Sequence, residues 1–289
     1  MATGSDTQWS AVNRTAQAVA ALRRLEMLRH GERALVQDPT LDRLLEGDGF
    51  EQADLAGVAL PADCRGDLAA IARWLGDAAR DASAARLASH VDRLAIRTAR
   101  IDALLNEYLR EVAQFVIIGA GLDTRAWRLA ACAHCRVYEV DFPHVLAHKA
   151  ARLGDLPLAC RERHAVGCDV ASPDLGARLV EAGFARGAPT VWLIEGVLVY
   201  LTGAQIDALN RSLRELSAPG SRLVATFMGE DTTGMFNSGM ISRFDDGPGL
   251  LARYGWQARQ IHYADIAQSY GRDYPDDYAV YLAFTAPRA

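Results

Sequence analysis

The distribution of apolar residues changes character near residue 113. Before it, hydrophobic positions recur at helical spacing. Val19, Leu22, Leu25, Met27 and Leu28 form a stripe within 9–30, which stops at Gly31. Ile71, Trp74 and Leu75 share one face within 64–81, and 84–112 is rich in Ala, Leu and Arg. Asp38-Pro39 reads as a helix start, with Asp as N-cap and Pro at the first helical position. Residues 1–8 are expected to be loose, and 47–61 loop-rich.

After residue 113, short apolar runs alternate with amphipathic stretches. Strands are expected at 115–118, 137–140, 163–166, 190–194 and 222–227, the first of them short and buried and the fourth apolar enough to be buried on both faces. Helices are expected at 124–135, 143–153, after Ser172-Pro173, after the capping box Thr202-Gly-Ala-Gln205, and at 250–254. Two further strands, 256–261 and 278–284, close the chain, the second with Tyr278, Val280, Leu282 and Phe284 alternating. The pattern is α/β, with 1–112 as an N-terminal helical cap and 113–289 as a Rossmann-like core. The polar, glycine-rich stretch 228–249 holds Met235, Phe236, Met240, Ile241 and Phe244. A loop of that length is more often functional than idle, and it is expected to hold a short helix and part of a substrate wall.

Between the strand at 115–118 and the predicted helix lies Gly119-Ala120-Gly121. A strand, a glycine turn and a helix place backbone N–H groups around a pocket that a cofactor can approach, and a Cβ at either glycine would intrude on that approach. Alone, such a turn serves equally well with no ligand. The next strand narrows the choice. It ends at Asp141, and an acidic residue roughly 20 residues beyond the glycines is where Rossmann-like domains hold ribose hydroxyls. Position 124 is Thr where a dinucleotide fingerprint has a third glycine, which argues against a pyrophosphate packed on the helix. An adenosine cofactor without phosphates suits the pattern, and S-adenosylmethionine is the common one.

Three segments occur in order: IGAGLDTRAWRL, EVDFPHVLAHK and IEGVLVYLT. Together they resemble the leucine carboxyl methyltransferase family, including its bacterial branch of tetracenomycin-type polyketide O-methyltransferases. The resemblance covers 97 to the C-terminus and, more loosely, the N-terminal helices. It implies a seven-stranded, mostly parallel sheet with an antiparallel last strand. It implies a cofactor site of Arg97, Gly119, Ala120, Gly121, Asp141, Phe142, Asp169, Val170 and Glu195. Arg97 would grip the methionyl carboxylate, a task suited to a planar guanidinium. Asp169 would meet the adenine edge, because Ser172-Pro173 already starts the following helix. Glu195 would line the sulfonium end and Tyr200 the substrate side, although on sequence alone a core aromatic is the more natural role for Tyr200. The family's second arginine falls one residue off at Arg100, so no role passes to it.

Composition sets further bounds. The chain has 289 residues, half of them hydrophobic, and a formal net charge of −5. No basic block is interleaved with aromatics, so nucleic acid is not an expected partner. Lys149 is the sole lysine among 31 basic residues, which leaves little room for lysine chemistry. No apolar run suits a membrane span, and no signal-type segment opens the sequence. Five cysteines, an odd count, fit reduced thiols and a cytoplasmic setting. Cys132-Ala-His-Cys135 lacks a second pair for zinc, and His144/His148 lacks the acidic companion of a zincin, so no metal is expected. Glu230-Asp231, Asp245-Asp246 and Asp276-Asp277 read as solvated charges.

Methyl transfer from a sulfonium needs no acid, and to an ionised carboxylate it needs no base. The sequence holds no evident base; His164 and His262 are candidates by residue type only. The expected reaction is therefore methyl-ester formation on a small carboxylic acid of secondary metabolism, with Glu195 and Tyr200 positioning the reactants. Ether formation on a hydroxyl or phenol is the alternative. Two other classes stay open: an NAD-binding oxidoreductase, and a cofactor-binding protein that transfers nothing.

Overall fold

The computed structural model describes residues 4–46, 54–76, 81–230, 240–272, 274 and 280–285. The chain divides into two units. Met1–Arg100, with Thr233–Gly239 and Tyr263–Asp277, makes the first; Ile101–Thr232, Met240–His262 and Tyr278–Ala289 make the second. The expected roles of Met235, Phe236, Asp231, Asp276, Asp277 and Tyr278 fall outside the described residues.

In the first unit, α1 spans Gly4–His30, so the segment expected to be loose is helical from Gly4. The helix α2 (Leu41–Leu45) starts later than Asp38-Pro39 implied. Asp38 instead accepts bonds from the backbone N–H and hydroxyl of Thr40, at 3.2 and 2.6 Å, fixing the turn before the helix. A short hairpin of β1 (Asp54–Leu55) and β2 (Val58–Ala59) follows. The helix α3 (Leu68–Leu75) is N-capped by Asp67, whose carboxylate accepts from the N–H groups of Ala69 and Ala70. Its buried face, Ile71 and Leu75, joins Leu22, Leu25, Leu87 and Val91 in one apolar cluster. The last of these belong to α4, Ala82–Tyr108, whose residues from Ile101 onward belong to the second unit.

The second unit is a sheet flanked by helices. Its elements are β3 (Gln114–Ile118), α5 (Arg125–Arg128), β4 (Arg136–Asp141), α6 (Pro143–Leu153), β5 (Glu162–Gly167), α7 (Leu175–Glu181), β6 (Val191–Ile194), α8 (Gly203–Leu216), β7 (Arg222–Met228), α9 (Gly247–Ala252), β8 (Ala258–His262) and β9 (Val280–Thr285). The strand order is β5-β4-β3-β6-β7-β9-β8. The strands β3 to β7 run parallel, and β9 pairs antiparallel with β7 and β8. The strand β6, expected to be buried on both faces, and β3, expected to be a buried strand, are both buried throughout. Tyr138, Trp192, Ile194, Leu209 and Leu223 belong to the core cluster between sheet and helices. The capping box of α8 forms as expected, with Thr202 and Gln205 each bonding the other's backbone N–H.

The expected helix over 124–135 shrinks to the four residues of α5. Leu129 is extended, and only a 3-10 turn follows at Ala130–Cys132. No proline or glycine breaks it. Arg125 and Arg128 are bound to Asp102, and the Trp127 indole donates to the Leu153 carbonyl at 3.1 Å. These tertiary ties, rather than helical propensity, fix the segment. The helix expected from Ser172-Pro173 likewise begins only at Leu175, because Ser172 Oγ accepts from Asp174 N–H in a turn ahead of it.

Candidate functional site

Strand register assembles the site. Ile118 pairs with Val140 on one side and Ile194 on the other, and Val140 pairs with Val166. Four adjacent parallel strands therefore release their chains at one edge. Gly119–Gly121, Asp141-Phe142, Asp169-Val170 and Glu195-Gly196 all leave the sheet there. Between β3 and β6 the order of strands reverses, and open α/β sheets bind ligands in the crevice at such a switch point.

Gly119 and Gly121 have φ of 66° and 41°, in the left-handed region that favours glycine. The reason for Gly119 differs from the expected one. A Cβ there would lie closer than 3.0 Å to Val197 Cγ2, so the space is claimed by the protein's own β6 loop. The turn also offers few donors. Ala120 N–H donates to the Val140 carbonyl at 3.0 Å, Gly121 N–H to Asp141 Oδ2 at 2.7 Å, and Asp123 N–H to the Ala120 carbonyl at 2.8 Å. With these N–H groups satisfied and α5 only one turn long, the turn is no anion cradle. It presents shape, which suits a cofactor without phosphates. At Gly196, φ is 67° and a Cβ would meet nothing within 4 Å, so the end of β6 opens onto space.

Asp141 is 8% exposed. Its other oxygen, Oδ1, accepts from Phe142 N–H at 2.7 Å. Each oxygen thus carries one backbone hydrogen bond and keeps a lone pair for another donor, as a vicinal diol would require. Burial raises its pKa above the ordinary value, against the opposing pull of the Gly121 and Phe142 N–H groups, Lys149 and His144. These acceptors fit the ribose hydroxyls of an adenosine cofactor. Phe142 follows with its ring 37% exposed and stacked near His144, at 6.1 Å between centroids. Asp169 is exposed, and its Oδ1 accepts from Ala171 N–H at 2.8 Å rather than capping α7. Val170 is half-buried against the core.

Glu195 is held by a residue to which the sequence reading gave no role. Arg125, 1% exposed, donates from Nη1 to Glu195 Oε2 at 2.8 Å and to Asp123, and from Nε to Asp102 Oδ1 at 2.7 Å. Arg128 adds a bond of 2.6 Å to Asp102. Burial opposes the ionisation of Asp102 and Asp123, yet Arg125, with Arg128 and Lys149, holds both carboxyls below the ordinary range. The same three carboxylates push Arg125 well above its ordinary value despite burial. Asp102 lies on α4, Asp123 in the turn and Glu195 after β6, so the cluster ties three segments that the sequence separates. Its only signal in sequence was the Asp-Thr-Arg run.

The remaining candidates fare differently. Tyr200 lies half-buried in the 3-10 turn Leu198–Tyr200. The segment between β7 and α9 docks on that turn, with Ile241 and Ser242 N–H groups donating to the Val199 carbonyl and Ser242 Oγ to that of Leu201. Arg97 is half-buried on α4 within the first unit, whereas the other candidates belong to the second. His164 stacks on Tyr138 at 4.8 Å midway along the edge strand β5, and His262 ends β8 three strands from β6, so neither stands at the crevice. Cys132, Cys135 and Cys160 are free and buried, and burial pushes the Cys135 and Cys160 thiols up to about 11. Among the described residues no cluster of three metal-ligating side chains occurs, and no helix is long and apolar enough to cross a membrane.

A mostly parallel sheet with a crevice at the β3/β6 switch point, a glycine turn whose N–H groups are bonded and a buried aspartate at that edge define a ligand-binding fold of the α/β class. Solved structures share the fold. A methyltransferase structure from Thermobifida fusca aligns over 92% of this chain and 97% of its own, with a TM-score of 0.53 at 18% identity. A DUF574 family protein from Streptomyces avermitilis aligns over 91% and 99%, with a TM-score of 0.55 at 15% identity. Sequence relatives are nearer. Proteins of Frankia alni and Mycobacterium marinum, named by inference as S-adenosyl-L-methionine-dependent methyltransferases, are each 34% identical, over 91% and 93% of this chain and 88% and 90% of theirs. The pattern of the leucine carboxyl methyltransferase family matches residues 16–214. The chain belongs to the leucine carboxyl methyltransferase family and is an S-adenosylmethionine-dependent methyltransferase.

Proposed function

We propose that this methyltransferase forms methyl esters on a small carboxylic acid of secondary metabolism, as in the tetracenomycin-type branch of the family. The carrying observation is chemical. The crevice carries Asp141 and Glu195; the histidine beside it, His144, stands by Asp141 and Phe142, at the ribose end in this reading rather than the acceptor end, and neither His164 nor His262 stands near it. An ionised carboxylate acceptor needs no base, whereas a phenol or alcohol does.

In this reading Gly119, Ala120 and Gly121 shape the floor, and Asp141 accepts from the ribose hydroxyls. Phe142 and Val170 flank the adenine, and Asp169 accepts from its amino group. Glu195 faces the ammonium and sulfonium end, and Tyr200 borders the acceptor. The pairing of β9 with β7 and β8 supports the seven-stranded form of the sheet. When bound, the cofactor supplies an electrophilic methyl group. The protein's part is orientation and exclusion of water. Arg125 pairs with Glu195 and offsets part of its charge, which lowers the repulsion an anionic acceptor would meet.

Calorimetric titration with S-adenosylhomocysteine, with NAD as control, tests the site. Binding of the first and not the second is expected; NAD binding alone overturns the reading. A screen with methyl-tritiated cofactor then compares carboxylic acids with phenols of matched skeleton. Label released as methanol by mild alkali marks an ester, the expected product. Alkali-stable label on phenols alone refutes the carboxylate assignment.

A further inference from the structure

We propose that Lys149 is a positioning residue that sets the shape of the glycine turn beneath the cofactor. The inference rests on the reading of that turn as the cofactor floor. Lys149 is the chain's single lysine among 31 basic residues, so arginine serves at every other basic position. The exception lies on α6 and is fully buried.

Its Nζ stands 2.9 Å from Glu139 Oε2, 3.0 Å from the Asp123 carbonyl and 3.4 Å from the Ala120 carbonyl. Ala120 and Asp123 are the two ends of one tight turn, closed by the Asp123 N–H bond to the Ala120 carbonyl. One ammonium therefore ties both ends of the turn to mid-strand β4. Three convergent acceptors match the three N–H bonds of a tetrahedral ammonium. A guanidinium spreads its donors in a plane and is bulkier, so it cannot replace this geometry.

Charge supports the same role. Glu139 Oε2 also accepts from Arg163 Nε and Nη2, at 3.0 and 2.6 Å, and the Arg163 guanidinium lies 4.5 Å from the Trp127 ring centroid. Glu139 thus faces two cations, and the surplus positive charge is directed at the turn. It favours the ionised forms of Asp123 and Asp141, the second being the residue that holds Gly121 N–H. A core ion pair alone would not require the two carbonyl contacts, because Arg163 already pairs with Glu139 Oε2 through two bonds.

The single lysine makes a direct test possible. Protein labelled with carbon-13 at lysine Cε gives one side-chain resonance, and it is titrated with S-adenosylhomocysteine. A shift that follows the calorimetric isotherm is expected; a resonance unmoved at saturation overturns the proposal. Lys149→Met and Lys149→Arg are compared with Asp141→Ala, with folding checked by near-ultraviolet circular dichroism. Both lysine variants are expected to weaken binding by about tenfold, the scale of a charged hydrogen bond, with no rescue by arginine. If Asp141→Ala weakens binding and folded Lys149→Met does not, the positioning role fails while the site reading stands. If Asp141→Ala leaves affinity unchanged, the site reading fails and the proposal with it. Should the lysine variants not fold, the wild-type resonance decides.

Discussion

Replacing Arg125 by methionine removes a charge that three carboxylates share, yet the loss is not threefold. Asp102 keeps Arg128 at 2.6 Å, and Asp123 keeps the field of Lys149 and the Arg125 backbone N–H at 2.7 Å. Glu195 loses the guanidinium 2.8 Å away. The change therefore resembles the breaking of one buried pair, which costs about 3–5 kcal/mol. For a unit of this size the melting temperature is expected to fall by on the order of 10 °C, measured by scanning calorimetry at pH 7.5. The pH dependence carries its own sign. In the wild type, Asp102 and Asp123 are held low, so their stabilisation is complete at neutral pH. It is lost only as pH falls below the ordinary carboxylate range of about 4. In the variant the same burial acts with less opposing charge and the carboxyls take up protons sooner, which relieves them. The gap between wild type and variant should narrow between pH 7.5 and pH 5. A drop under about 3 °C, or a gap that does not change with pH, would refute the view that Arg125 neutralises this cluster.

Asp141→Ala is expected to weaken S-adenosylhomocysteine binding by about 1–3 kcal/mol, read by calorimetry, since it removes charged acceptors and frees Gly121 N–H. Because burial raises the Asp141 pKa, wild-type affinity should decline as pH falls toward that raised value, and the alanine variant should lack this decline. Gly119→Ala is expected to destabilise the fold by about 1–3 kcal/mol in urea melts, through overpacking against Val197. Adding Val197→Ala should recover the overpacking but leave about 1–2 kcal/mol of left-handed backbone strain. Additive losses in that double variant would refute the contact.

The alternation of apolar runs and amphipathic stretches, read locally, was enough for the strands β3 to β7, for α6 and for the capping box at Thr202. Apolar strands between helices can bury both faces only in a covered parallel sheet, so the α/β class follows from pattern alone. The spacing from Gly119 to Asp141 placed both at one edge of the sheet for the same reason: a glycine turn and the next strand's end must meet at the carboxyl side. What sequence could not give was every feature that depends on distant partners. The short α5 is set by Asp102 and Leu153, and the need for glycine at 119 is set by Val197. The holding of Glu195 depends on an arginine 70 positions earlier. The role of the lone lysine depends on two carbonyls that no residue type reveals. Local periodicity encodes which face of an element is buried. Which charge stands against which in the interior is decided only when the register of β3, β4 and β6 brings their ends together, because a buried ion must find its partner wherever the fold places it.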